Sequence, residues 1–286
     1  MIEYFWLVMA TVTSAAISVF GGFYNRQRAE RGSGSLYSLL LVLGALVSWL
    51  ILFLTEPDFA PGVLVYSLFF GVFYVMCNIG LISALKCGSV SLTNLFLQLA
   101  LIVTTVWGLI FWGAEMSVAV IVGILLVVVS LVMCLYQRGD GRFSFKWLIL
   151  ALMAMGGNAG CAITVKEQQM AFDGAYGSMM MVFALSIAAV FALIYYLRDR
   201  AEHPLTLIKK SGWLPMLAGV VNMLANLFVM WLTTSSLSPS LIYPTMGVAG
   251  IALVILASLF FFKERLRPMQ WAGIAVGAAA VLVLSI

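Results

Sequence analysis

Six carboxamide side chains lie deep inside long apolar stretches of this 286-residue chain: Asn78, Asn94, Gln98, Asn158, Asn222 and Asn226. An amide offers donors and acceptors together, and it carries no charge to titrate. Its chemistry is recognition rather than catalysis. Left unpaired in hydrocarbon it costs several kcal/mol, so it survives there by bridging helices or by facing water and a ligand. Asn94 and Gln98 are four residues apart, as are Asn222 and Asn226, and Tyr74 stands four before Asn78. Residues at that spacing share one face of a helix, so each pair looks into one space. Ser91 and Thr105 extend the Gln98 stripe by seven residues in either direction. Tyr243 opens a similar stripe with Ser240 and Gly247, and with the amides it completes the candidate substrate-binding set.

The missing residue types narrow the chemistry further. No Asp or Glu lies in the body of an apolar stretch, and the single histidine, His203, falls in a polar gap. Cys77, Cys87, Cys134 and Cys161 form no C-x-x-C pair and read as small packing residues. A membrane-embedded enzyme needs a nucleophile with its base, paired carboxylates or a histidine-rich metal set, and the apolar stretches contain none of these. The expectation is therefore a protein that is not an enzyme and holds no metal or cofactor. A membrane-embedded enzyme and a receptor or scaffold are kept as the alternatives of another class. Without an intramembrane carboxylate, facilitated diffusion or exchange is expected over carboxylate-based proton antiport. An organic cation would still find aromatic faces at Tyr74, Tyr243, Trp107 and Trp231.

Only an apolar solvent lets such amides matter. Residues of apolar type make up 64% of the chain, charged residues 9%, and the mean hydropathy is +1.11. A membrane helix needs roughly 20 mainly apolar residues. Ten such stretches are read near 4–24, 36–55, 62–85, 90–112, 116–136, 147–166, 177–197, 213–235, 239–262 and 268–286. The fold class expected is an all-α integral membrane protein with ten transmembrane helices. The amides fall on the third, fourth, sixth and eighth stretches, which should be central, while the second, fifth, seventh and tenth should be peripheral. The first stretch carries a milder stripe of Thr11, Ser14, Ser18, Gly22 and Asn25 and no basic leader, so it is expected to be a retained helix.

Orientation follows from the charges. Arg26, Arg28, Arg31, Lys86, Arg138, Arg142, Lys146, Arg198, Arg200, Lys209, Lys210, Lys263, Arg265 and Arg267 occupy alternate gaps, which places fourteen of fifteen basic residues on one side. By the positive-inside rule these gaps are cytoplasmic and both termini are extracytoplasmic. Lys166 is the exception; Glu167 beside it suggests a solvated pair. The formal charge of +4 is thus an orientation signal, and no nucleic-acid partner is expected. The partners expected are the lipid bilayer and a small-molecule substrate. Short loops fit a multi-pass protein of a bacterial inner (plasma) membrane. No feature selects between a monomer and an oligomer.

Pro244 sits inside the ninth stretch, where it removes one backbone hydrogen bond. With Gly247 it makes a candidate gating hinge. Pro239 occupies the first turn of the same stretch, where proline is favourable.

Residues 83–117 align with residues 232–266 at a constant shift that superposes Glu115 on Glu264. Five helices per copy is an odd number, so a second copy would enter the membrane inverted, as in alternating-access carriers. The run Ala257-Ser-Leu-Phe-Phe-Phe-Lys-Glu-Arg-Leu-Arg-Pro-Met-Gln-Trp-Ala-Gly-Ile resembles the repeat ending of the drug/metabolite transporter superfamily, EamA type. A looser copy, Gly108-Leu-Ile-Phe-Trp-Gly-Ala-Glu-Met-Ser followed by Gly123, ends the first half. The resemblance implies two inverted five-helix repeats, 1–140 and 141–286, and a secondary carrier with a cavity lined by helices 1, 3, 4, 6, 8 and 9. The function expected is export or facilitated passage of small polar metabolites, amino acids among them. Glu115 and Glu264 are read as caps at the repeat ends.

Overall fold

The computed structural model describes residues 2–27, 33–55, 57–87, 90–113, 117–135, 144–198, 204–262 and 268–284. All eleven regular elements among them are α-helices. They are α1 (Ile2–Gln27), α2 (Ser33–Thr55), α3 (Val63–Cys87), α4 (Val90–Phe111), α5 (Val118–Leu135), α6 (Phe145–Ala171), α7 (Gly177–Arg198), α8 (Pro204–Ser211), α9 (Trp213–Thr233), α10 (Pro239–Phe262) and α11 (Pro268–Leu284). Glu115, Glu264, His203 and most of the gap arginines lie outside the described residues, as do the side chains of Asn94, Gln98, Cys87 and Cys134.

Seven of the described helices are long and apolar enough to cross a membrane. On α2, Val42, Ala45 and Trp49 are buried while Ile51 and Leu54 are about two-thirds exposed, so the helix is apolar on its inner and outer faces alike. A helix of that kind belongs in lipid. The chain is a multi-pass helical membrane protein.

Two differences from the sequence reading matter. The expected sixth stretch ends near Lys166, whereas α6 runs on to Ala171 and takes Lys166 and Glu167 into the helix. A short amphipathic helix, α8, fills the gap between the seventh and eighth stretches.

The helices divide into two compact units. One comprises residues 1–7, 76–163 and 235–286. In it α5 pairs with α11, and α10 packs on α4, α5 and α11 around Val127, Leu131, Leu241, Val248, Ile251, Ile255 and Ala280. Ser130 Oγ donates to the Gly273 carbonyl of α11 at 2.7 Å. A Cβ on Gly277 would stand 2.7 Å from the same hydroxyl, so the glycine sets how closely the two helices approach. Gly80 of α3 lies against the backbone of α6, where a Cβ would be 2.6 Å from Ala154 N and 2.8 Å from Leu150 O. Close approach through small residues is the main attraction available to helices that lipid solvates equally well.

The other unit comprises residues 8–75 and 164–234. Here α2 pairs with both α7 and α9. A Cβ on Gly44 would lie 2.6 Å from Met216 O, and one on Gly219 would collide with Leu41 O and stand 2.6 Å from Ala45 N, so the crossing is glycine-lined on both helices. Gly71 of α3 meets α7 in the same way, with a would-be Cβ 3.1 Å from Ala184 O.

Candidate functional site

In the first unit, Asn158 comes from the middle of α6, beside the small residues Gly156, Gly157 and Gly160. Its Nδ2 donates to the Leu97 carbonyl of α4 at 3.2 Å. That bond spends one amide proton across helices and leaves Oδ1 without a partner among the described residues. About three turns toward the start of α6, Trp147 Nε1 donates to Thr93 Oγ1 at 3.0 Å and takes Phe96 edge-on at 5.6 Å, so α6 is clamped to α4 twice. Asn78 is half-buried near the middle of α3. The α4 backbone carrying Asn94 and Gln98 is helical as expected, but the orientation of those two side chains lies outside the described residues.

Tyr243, Pro244 and Gly247 are all buried on α10, which stays one helix through the proline. The Tyr243 ring stands 6.4 Å from that of Trp112, and its hydroxyl, in a side chain 2% exposed, has no partner among the described residues. A buried hydroxyl in that state costs about 1–3 kcal/mol, which a water or ligand group could recover. Beyond Gly247, a Cβ on Gly250 would meet nothing within 4 Å, so the stripe from Tyr243 opens onto free space.

In the second unit the two amides of α9 bond to one another. Asn226 Nδ2 donates to Asn222 O at 2.8 Å and to Asn222 Oδ1 at 3.3 Å. Both acceptors are oxygens, which fixes the nitrogen of Asn226 toward Asn222 and its Oδ1 away from it. The Asn222 Nδ2 donors and the Asn226 Oδ1 acceptor are left without partners among the described residues. Both residues are half-buried, so the dyad offers a donor and an acceptor on adjacent turns of one helix face. Tyr74, in this unit, stacks on Phe70 with ring centroids 6.0 Å apart.

Two polar residues near the end of α6 were outside the sequence reading, and a third, Lys166, differs from it. Gln168 and Gln169 are buried, and they brace the turn into α7. Gln169 Nε2 donates to Gln168 Oε1 at 2.5 Å, and Gln168 Nε2 donates to Ala175 O at 2.7 Å. The turn they hold is strained, with Asp173, Gly174 and Tyr176 all at positive φ. Lys166 is half-buried and donates to the Thr233 carbonyl at the end of α9, rather than standing as a solvated pair with Glu167. A cation there matches the negative end of the α9 dipole. The signal available was the resumption of apolar residues in Met170-Ala171-Phe172 after the Lys-Glu-Gln-Gln run, which carries the helix past its charges.

Residues 145–286, just under half of the chain, match a family model described as solute carrier family 35, SLC35F. No individual curated protein matches the sequence significantly. A crystal structure of a protein superposes with a TM-score of 0.77 at 16% identity, covering 98% of this chain and 95% of its own. At that identity the likeness is one of fold. The chain is thus similar to solute carriers in its second half and shares a solved fold along nearly its whole length.

Proposed function

We propose that this chain is a secondary carrier of small polar metabolites, neutral or zwitterionic, working by alternating access. The observation that carries the reading is the Asn222–Asn226 dyad. It turns a free donor and a free acceptor outward from one helix inside an apolar span, and that arrangement is costly unless a ligand or water uses it. The dyad suits hydroxyl, amide and amino-acid groups and has no fixed charge to select ions. In the other unit, Asn158 Oδ1 and the Tyr243 hydroxyl are uncharged groups of the same kind. Similarity of residues 145–286 to solute carriers supports transport over receptor or enzyme.

The architecture proposed is ten membrane-spanning helices in two inverted repeats, 1–140 and 141–286, with α8 as an interhelical addition. The repeat shift carries α2 onto α7 and α3 onto α9. Under it the crossing of α2 with α9 becomes that of α7 with α3, and both crossings are made at glycines. The pairs α4 with α10 and α5 with α11 map onto themselves. In this reading the basic gaps are cytoplasmic, both termini lie outside a bacterial inner membrane, the direction of transport is outward or equilibrative, and Pro244 with Gly247 forms the hinge.

A thermal-shift screen of the purified chain against amino acids, quaternary amines, nucleosides and sugar phosphates tests the proposal, repeated on Asn222→Ala and Asn158→Ala. Stabilisation by amino acids or another neutral polar class, lost in Asn222→Ala, supports it. Stabilisation by quaternary amines alone, unchanged in both variants, would transfer the site to the aromatic residues and overturn the amide reading.

A further inference from the structure

Helix α8 serves no obvious purpose in a bundle of short connections, and its surface is divided in a way that identifies a partner. Its inner face is Leu207 and Ser211, each 1% exposed, with Leu207 packed against Leu36 and, around them, Leu40 and Tyr196. This fastens α8 to the start of α2 and the end of α7. Beside that inner face Leu205 is 72% and Ile208 41% exposed, although neither belongs to a membrane span. Lys209 and Lys210 are exposed with Thr206 on the remaining surface, and neither lysine has a partner among the described residues. Arg198, two residues beyond Tyr196, is exposed as well.

The depth of α8 is marked independently. Trp213, the first residue of α9, is 60% exposed, and tryptophan prefers the level of the lipid headgroups. The junction is tight: Gly212 N donates to Ile208 O at 2.9 Å, and a Cβ on Gly212 would come within 2.5 Å of that oxygen. The glycine therefore holds α8 directly against the head of α9, at the level of Trp213.

We propose that α8 is an anionic-lipid site, in which Leu205 and Ile208 enter the upper acyl region while Lys209, Lys210 and Arg198 hold a phosphate-bearing headgroup. An interfacial helix of this kind needs an apolar flank and a cationic flank side by side, and α8 has both within eight residues. The inference goes beyond the transport reading, since it needs only that the helices stand in a bilayer.

The full chain, purified in neutral detergent, is titrated with phosphatidylglycerol and separately with phosphatidylcholine, and bound lipid is counted by native mass spectrometry. Phosphatidylglycerol should bind more tightly. The double variant Lys209→Gln/Lys210→Gln should weaken phosphatidylglycerol by about 25-fold, roughly fivefold per lysine, with phosphatidylcholine unchanged. Lys209→Arg/Lys210→Arg should bind as the parent does, and Leu205→Ser/Ile208→Ser should weaken both lipids. Equal binding of the two lipids, or a preference that survives the glutamine pair, would overturn the proposal. So would full competition by glycerol phosphate at the lipid's own concentration, because the site would then be one for a free anion.

Discussion

Asn158 and the Asn222–Asn226 dyad use the same functional group in opposite ways. Asn158 reaches out of its helix to a carbonyl of α4, so its bond holds two helices together. Asn226 turns back on its own helix, so its bond holds nothing but Asn222. The first arrangement has a structural purpose without any ligand. The second stabilises no interhelical contact and orients two unspent groups. An amide inside a membrane therefore declares its role by where its proton goes, and the contrast can be broken or sharpened by substitution.

The largest effect is expected at the helix crossing that carries the dyad. Gly219→Leu forces a side chain into the α2 backbone and should cost about 1–3 kcal/mol or more, read as a lowered melting temperature and poor recovery of folded protein. Smaller for stability but large for transport is Asn222→Ala. The substitution removes the Asn222 Nδ2 donors offered to a ligand and leaves the backbone carbonyl that holds Asn226. It should therefore cut uptake into proteoliposomes by about 5- to 100-fold, the equivalent of about 1–3 kcal/mol, while the melting temperature stays near the parent's. If Asn222→Ala lowers stability and leaves uptake intact, the two kinds of amide are not distinct.

Asn158→Ala should do the reverse, losing about 0.6 kcal/mol with the α4 bridge and slowing uptake less than Asn222→Ala does. The smallest change is expected at Ser130→Ala. It removes the hydroxyl that donates to Gly273, costs a similar fraction of a kcal/mol, and should leave uptake as it was, since no candidate ligand group belongs to that contact. A fall in uptake at Ser130→Ala comparable with that at Asn222→Ala would show that any loosening of the bundle slows transport.

The helices themselves were legible in the sequence. Their ends agree with the apolar stretches to within about two residues at nearly every boundary, because in a bilayer an apolar run of sufficient length has no alternative to a helix. The two departures have one cause. Lys166-Glu167-Gln168-Gln169 and Pro204–Ser211 are polar enough to read as loop, and both are helical because neighbours within their own unit satisfy or cover them: Thr233 and Ala175 in the one case, Leu36 and Tyr196 in the other. Hydropathy measures transfer to lipid and is blind to such partners.

What the sequence alone determined is the solvent, the extent of most of the described helices, and which residues carry uncharged hydrogen-bonding groups inside them. Spacing also placed Asn222 and Asn226 on one face. The tertiary structure decided what each amide does with its bonds: whether Asn158 meets α4, whether Asn226 turns inward along α9, and whether Tyr243 keeps its hydroxyl unpaired. For Asn226 the acceptor is four residues back on its own helix, a partner the spacing made available but did not select. For Asn158 the acceptor stands 61 residues away on another helix, and only the packing of α6 on α4 brings it within about 3 Å, which no local pattern encodes.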